Sequence, residues 1–318
     1  MGEFRRFKDD LAWAFIRLFL GLIRRLDIVT VVRLGRCLGW VASHLLSLRK
    51  TVSLLNLRVV FGDTVSRRRK RQIFRRAAAY IMTMGLETIR YCYADTATFM
   101  RNVRIVGLEH LAAAKARGRG VVLAGGHVGT FTFVAVRLTR EGYPSWVILR
   151  FAHDPRVSQL YRDMMGRLGV NWIADRPRSQ CIKSCIARLL SNDILHVLID
   201  QKPSRGKGCV VPFFGIPTEM FPGVISLALR TGASILPVTI HRKGVLRHVI
   251  EIGCPVQLVS TGDRQRDVEV NLANVVKSLE TAIRKYPEEW WVISRRWSRS
   301  QLAGQERSLP LDETVTIE

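Results

Sequence analysis

Acidic residues are scarce in this chain of 318 residues: 26 Asp and Glu stand against 50 Lys and Arg, which gives a formal charge of +24. Such an excess of cations implies an anionic neighbour, which is nucleic acid, an anionic membrane face, or an acidic ligand or partner. Disorder is excluded, because 47% of the residues are hydrophobic and a disordered basic chain is poor in apolar residues. The length fits one large domain or two small ones.

The sequence also lacks a Cys-x-x-Cys pair, since its six cysteines are scattered. Cys181 and Cys185 have the spacing of one helix face, but no nearby His or Cys pair completes a set of metal ligands. We therefore predict no metal site and expect reduced structural thiols in a cytosol-facing compartment.

A long hydrophobic run is missing at the N-terminus. Residues 11–23 are apolar except for Arg17, and thirteen helical residues rise about 20 Å, short of the roughly 30 Å hydrocarbon core of a bilayer. A signal peptide fits no better, because no Ala-x-Ala-like cleavage site follows. This segment and residues 28–48 instead predict helices with apolar faces and cationic flanks, typical of a protein that lies on an anionic leaflet. Packing of both helices on the core is the first alternative, and anchoring through residues 11–26, tilted or as a hairpin, is the second.

A basic run, Arg67 to Arg71, opens a long helix predicted over residues 66–94. It can bind the phosphates of RNA or of lipids, or form a solvated face. No recognition helix, RNA-binding sheet or zinc finger accompanies it, so nucleic acid is not expected as a partner.

From about residue 103, short apolar runs alternate with amphipathic stretches. Strands are predicted at 121–124, 146–149, 194–199, 209–211, 235–240 and 249–252, with helices near 130–141, 155–168, 178–191, 221–231 and 268–285. This alternation predicts an α/β layered domain with a central, mostly parallel sheet flanked by helices. We expect a helical, membrane-associated extension over 1–100, the α/β core over 101–300 and a loose tail over 301–318.

Polar residues follow three of these strands. His127 comes after the first, Arg150 after the second and Asp200 after the central one, and open α/β sheets bind ligands at the carboxyl ends of their strands. A histidine supported by a carboxylate suits acyl transfer to a hydroxyl, because it can take the proton of the attacking group. No Gly-x-Ser-x-Gly motif exists, so direct transfer without an acyl-enzyme is the simpler mechanism.

Five pieces then occur in a family-like order: GGHVGTF, the Asp200-Gln201 strand end, GCVVPFFGIPTEMFPG, LALRTGASILPV and YPEEWWVISRRW. With the LLNLRVVFGD segment at 54–63, they resemble the bacterial lipid A biosynthesis (lauroyl/myristoyl) acyltransferases, of the lysophospholipid acyltransferase superfamily with its glycerol-3-phosphate acyltransferase-like fold. The resemblance covers roughly residues 8–298. It implies a protein at the cytoplasmic face of the bacterial inner membrane, peripheral or held by a single N-terminal anchor. It also implies transfer of a fatty acyl chain from a thioester donor, usually acyl carrier protein, to a hydroxyl of a phosphorylated glycolipid, without a cofactor.

One position departs from the family pattern of His, four residues, then Glu or Asp. His127 matches, but the acid is replaced by Thr132, which cannot stabilise an imidazolium by charge. Three interpretations follow: Asp200 supplies the acid, because the family brings that strand end next to the histidine; activity is feeble; or the chain is a silent lipid-binding homologue. A second departure, Ser294 in place of a frequent histidine, is tolerable.

Further binding residues are expected around this rim. They are Gly129 and Thr132 near the histidine, Arg150 for an acceptor phosphate or the oxyanion, and Gln201, Arg205 and Lys207 in a Gly-containing loop. Arg295 and Arg296 are candidates to touch lipid phosphates. The competing function is a phospholipid or other glycolipid acyltransferase that uses acyl-CoA. The sequence predicts neither the acyl chain length nor an oligomeric state.

Overall fold

The short apolar runs of the second half form strands. The computed structural model describes residues 2–45, 47–152, 154–203, 208–297 and 301, with the backbone alone for 2–9, 12, 47 and 48. The strands are β1 Val103–Val106, β2 Val121–Gly125, β3 Ser145–Leu149, β4 Asn171–Ala174, β5 Ile194–Leu198, β6 Cys209–Phe213, β7 Ile216–Met220, β8 Ser234–Lys243 and β9 Arg247–Ile252.

Helices precede the sheet and connect its strands. They are α1 Gly2–Ile23, α2 Ile28–Leu45, α3 Ser47–Phe61, α4 Arg67–Tyr91, α5 Thr96–Asn102, α6 Leu108–Ala116, α7 Thr132–Arg140, α8 Pro155–Leu168, α9 Arg178–Leu190, α10 Gly223–Thr231 and α11 Arg264–Lys285. A short 3-10 turn follows at Pro287–Glu289. Ser66, Asp95, Asp154 and Asp263 cap α4, α5, α8 and α11 by accepting backbone N–H groups, which explains where these helices begin.

Seven of the described strands form one sheet in the order β1-β9-β8-β2-β5-β3-β4, and β6 and β7 form a separate hairpin. Every neighbouring pair in the sheet is parallel except β8 and β9, so the predicted α/β fold with a mostly parallel sheet is confirmed. In the centre, Gly125 of β2 pairs with Leu198 of β5. The two strands therefore end side by side, and the residues that follow them leave the sheet together.

Both faces of the sheet are covered. Val122 and Ala124 of β2 point into an apolar cluster with α3, α4, α10 and α11, whereas Val121 and Leu123 point into a second cluster with α5, α6, α7 and α8. This alternation is the two-residue period of a strand, and burial on both sides explains why the strand reads as an unbroken apolar run.

The N-terminal helices pack on this core. A Cβ at Gly35 or Gly39 of α2 would lie 2.5 Å or 2.3 Å from the backbone of α4, so α2 and α4 meet along these two glycines. Side chains of α3 and α4, among them Leu57 and Phe74, belong to the same apolar cluster as β2. The expected division at residue 100 falls inside α5, and the packing is continuous across it.

Helix α2 is long and apolar enough to cross a membrane by length and composition. Helix α1 carries four exposed apolar residues at helical spacing, Leu11, Phe15, Leu18 and Leu22. Near the end of α2, Trp40, Val41 and Leu45 are exposed as well. Both N-terminal helices therefore present apolar surface, which a water-soluble surface helix usually turns inward.

Candidate functional site

His127 lies in the loop between β2 and α7, and glycines give this loop its shape. Gly129 has φ +66°, and a Cβ there would lie 1.8 Å from the Ile240 carbonyl oxygen, so no other residue fits this backbone. The segment after α11 fixes the loop from the other side. The Trp291 N–H donates to the His127 carbonyl at 2.8 Å, and the Gly129 N–H donates to the Glu289 carbonyl at 2.9 Å.

The His127 ring contacts a buried carboxylate. Its Nδ1 lies 2.6 Å from Oδ1 of Asp200, and the other oxygen of Asp200 accepts from Nη2 of Arg296 at 2.9 Å. The Asp200 side chain is fully buried, and the Arg296 side chain is 7% exposed. Arg296, Asp200 and His127 are thus linked by consecutive hydrogen bonds from the protein interior to the imidazole. This is the arrangement of a base that is oriented by an acid.

The charge of Asp200 is maintained despite its burial. Burial alone would raise the pKa of this carboxyl, but the Arg296 guanidinium and then His127 outweigh it and hold the pKa well below its usual range. A charged carboxylate at Nδ1 favours the tautomer with the proton on that nitrogen. It also stabilises the imidazolium that forms when Nε2 takes a proton.

The second nitrogen of the ring faces the rim of the sheet. Nε2 of His127 lies 3.3 Å from Nε2 of Gln201, and the His127 side chain is 13% exposed. Phe131 and Trp291 pack against the ring, with centroids 4.8 Å and 5.9 Å away. The ring is thus held by aromatic neighbours and by Asp200, while one nitrogen can meet a substrate hydroxyl.

Thr132 starts helix α7, and its hydroxyl pairs with the Thr88 hydroxyl of α4 at 3.0 Å. The acid that the family pattern has at this position is therefore replaced by a neutral contact between two helices. The only carboxylate that hydrogen-bonds the His127 ring among the described residues is Asp200.

Two expectations about binding residues need correction. The Gly129 N–H is taken by the Glu289 carbonyl, so it cannot also bind an oxyanion. Arg296 does not reach out to lipid phosphates, because its guanidinium is buried against Asp200. Arg150 is 76% exposed and pairs with Asp175 at 2.7 Å across the ends of β3 and β4, and its role in binding stays a prediction.

Arg205 and Lys207 lie outside the described residues. Gln201 lies beside the histidine, and its expected role in substrate binding stays a prediction. Glu289 and Trp291, which contact the His127 loop and were not predicted, come from the YPEEWWVISRRW segment. Its only sequence signal was its place in the resemblance. No group of three or more His, Cys, Asp or Glu in the described part of the chain could hold a metal ion.

Glu289 occupies an unusual environment beside the loop. Both oxygens of its carboxylate accept the Arg242 backbone N–H, and each lies 3.0 Å from the Arg242 nitrogen. Burial, the largest influence, raises the pKa of Glu289 to about 7 even though Arg242 and Tyr80 lower it. The folded chain therefore holds this proton up to a higher pH than the unfolded chain does.

This proton predicts how stability changes with pH in Glu289→Gln. The wild-type carboxyl is raised from 4.5 to about 7, so its contribution to the free energy of unfolding is greatest below pH 4.5 and falls as the pH rises to 7. Gln mimics the protonated form at every pH. Relative to the wild type, we expect the free energy of unfolding of the variant to rise by on the order of 2–3 kcal/mol between pH 4.5 and 7. The difference should persist at pH 8. Denaturant unfolding at pH 4.5, 6 and 8 measures this, and a constant difference across the series would contradict it.

The sequence profile of bacterial lipid A biosynthesis acyltransferases matches residues 3–299. The chain is 25% identical over 290 residues to lipid A biosynthesis lauroyltransferase of Escherichia coli (strain K12), a match that covers 90% of the chain and 91% of that relative. It is 31% identical over 137 residues to phosphatidylinositol mannoside acyltransferase of Mycobacterium tuberculosis (strain ATCC 25618 / H37Rv), and this match covers 42% of each protein. Against the phosphatidylinositol mannoside acyltransferase of Mycolicibacterium smegmatis it is 24% identical over 218 residues, 66% of the chain and 67% of the relative.

Proposed function

Because the chain belongs to the bacterial lipid A biosynthesis acyltransferase family and is an acyltransferase, we propose that it moves a fatty acyl chain from acyl carrier protein to a hydroxyl of a phosphorylated glycolipid. The observation that carries this proposal is the set of hydrogen bonds that links His127, Asp200 and Arg296. It gives a base a charged, buried support although position 132 holds no acid.

The chemistry needs no covalent enzyme intermediate. Nε2 of His127 takes the proton of the acceptor hydroxyl as its oxygen attacks the thioester carbonyl, and Asp200 stabilises the resulting imidazolium. The carbon–sulfur bond then breaks, and the imidazolium returns the proton to the leaving sulfur. The products are the ester and the free thiol of the carrier, so atoms and charges balance.

Two observations support the choice of donor and acceptor. Acyl carrier proteins are acidic, and the chain has a formal charge of +24, which favours association with an anionic carrier and an anionic acceptor. The relatives named above are an acyltransferase of lipid A and two acyltransferases of phosphatidylinositol mannoside, and each of these names contains a glycolipid. We extend this acceptor class to the present chain.

We also propose that the chain works at the cytoplasmic face of the bacterial inner membrane. The exposed apolar stripe of α1 and the exposed end of α2 support this location, since a lipid surface would cover both. Exposed cations on α2, such as Arg33 and Arg36, would face anionic headgroups.

A substrate panel tests the proposed function. Purified chain in detergent is given one labelled acyl group on acyl carrier protein or on CoA, with a phosphorylated lipid A precursor, a mannosylated phosphatidylinositol or a lysophospholipid as acceptor. We expect the fastest transfer from the carrier protein to the lipid A precursor. Transfer only from acyl-CoA to the lysophospholipid would favour the competing function. No transfer to any acceptor would identify a silent homologue, the case that Thr132 raises.

A further inference from the structure

A groove beside the catalytic loop is rich in cations. It lies between α2, α4 and the segment that follows α11, and its volume is about 680 Å³, within the range of about 300–1,000 Å³ that is usual for ligand sites. Two carboxylates, Glu288 and Glu289, line it. Six cations also line it: Arg36, Arg69, Arg75, Arg76, Arg242 and Lys285. We call it the cationic groove.

Internal ion pairs leave part of this charge unmatched. Arg69 and Arg76 share Glu288 at 2.9 Å and 3.0 Å, and Arg242 and Lys285 pair with carboxylates outside the lining. Arg36 and Arg75 have neither a hydrogen bond nor an ion pair within the described ranges. Both are exposed. Two free guanidinium groups on opposite helices suit a phosphate, because each can donate two hydrogen bonds to its oxygens.

The groove adjoins the loop that carries His127. Tyr80 in its lining hydrogen-bonds the Thr130 hydroxyl at 3.1 Å, and the Glu289 carbonyl accepts the Gly129 N–H at 2.9 Å. Gly129 and Thr130 follow His127 by two and three residues, so their Cα atoms lie at most about 7 Å and 11 Å from that of His127. The groove therefore lies against the loop that carries the base.

The rim of the groove faces the expected membrane. Trp40 of α2 lines the groove and is 60% exposed, next to the exposed Val41 and Leu45. Tryptophan beside an apolar helix surface is typical of the boundary between lipid tails and headgroups. The opening thus lies where the headgroup of a membrane lipid would be.

We propose that the cationic groove binds the phosphate of the glycolipid acceptor and so holds the acceptor headgroup beside the His127 loop. This rests on the proposed function for the identity of the acceptor, but the binding does not depend on turnover. Arg36 and Arg75 are the residues that contact the phosphate.

Binding in detergent micelles tests the proposal without catalysis. The phosphorylated glycolipid and the same lipid after removal of its phosphates are titrated into wild type and into the Arg36→Gln/Arg75→Gln variant. A control variant, Arg104→Gln/Arg119→Gln, removes the same charge from two exposed arginines outside the groove lining. We expect the groove variant to bind the phosphorylated lipid at least about tenfold more weakly, since charged hydrogen bonds are lost, and the control to bind it like wild type. All three proteins should bind the dephosphorylated lipid equally.

Further arms identify the source of the phosphate. Equal weakening toward phosphatidylglycerol would make the groove a general contact for anionic lipid and overturn the proposal, as would undiminished binding of the phosphorylated glycolipid by the groove variant. Inorganic phosphate is added as a competitor, and it should displace the glycolipid only at high concentration. Where transfer is measurable, the variant should raise KM for the acceptor and leave kcat and the KM for the donor unchanged. If no acceptor is acylated at all, the proposed function fails while the binding arms still decide this proposal.

Discussion

His127→Ala is expected to lower the rate of acyl transfer by about 10³-fold. General base catalysis contributes typically about 10²–10⁴-fold, and Asp200 and two aromatic rings hold the His127 ring in place. Without the imidazole, the acceptor hydroxyl must attack with its proton still bound. The rate of ester formation from a labelled thioester, at saturating donor and acceptor, measures this loss.

A second variant separates chemistry from packing. His127→Gln keeps a polar side chain that can donate to Asp200, but it cannot take a proton, so it should be as inactive as His127→Ala. The matched control is His110→Ala, since His110 pairs with Cys254 instead, and it should keep wild-type activity. Transfer at the wild-type rate in His127→Ala would remove His127 from the mechanism.

Glu87→Gln is expected to lower the free energy of unfolding by about 3–5 kcal/mol. Glu87 of α4 is fully buried, and it pairs with Arg242 of β8 and, at 3.1 Å, with Nε2 of His248 of β9. Burial would raise the pKa of Glu87, but His248 and Arg242 outweigh it and hold the pKa below its usual range, so the residue is charged. Gln leaves the Arg242 guanidinium buried without its anion, which is among the costliest changes to a protein core.

Denaturant unfolding in detergent measures this loss, with Glu109→Gln on the exposed face of α6 as the control that should change stability by less than about 0.5 kcal/mol. The double variant Glu87→Leu/Arg242→Met should recover part of the loss, because it removes both charges from the interior. If Glu87→Gln unfolds at the same denaturant concentration as wild type, the buried pair does not hold α4 to the sheet.

The pairing of His127 with Asp200 was predicted through the family resemblance, and the register of the two strands explains it. Gly125 and Leu198 are register partners in neighbouring parallel strands, and the two functional residues each follow by two positions. Residues at equal distances past paired strand ends leave the sheet together. The sequence does not reveal strand order, so it could not show that Arg150 follows a strand that borders β5 and is separated from β2 by it.

Arg296 could not be predicted as the support of Asp200. It comes from an irregular segment after α11 that contacts the loop through the isolated bridge between Val128 and Trp290. Such a segment has no hydrophobic period, so only the packed structure shows which side chain turns inward. Strands β1, β4 and β7 were not predicted either.

The central claim is that Asp200, and not position 132, supplies the acid that supports His127. The most direct test compares Asp200→Asn with Thr132→Ala in the acyl transfer assay, at a temperature where unfolding measurements show both to be folded. Asn cannot stabilise an imidazolium by charge, so kcat should fall by about 10³-fold. Thr132→Ala loses only a hydroxyl contact with Thr88 and should keep nearly all of its activity. Full activity in Asp200→Asn, or a loss in Thr132→Ala as large as the one expected for Asp200→Asn, would contradict the account.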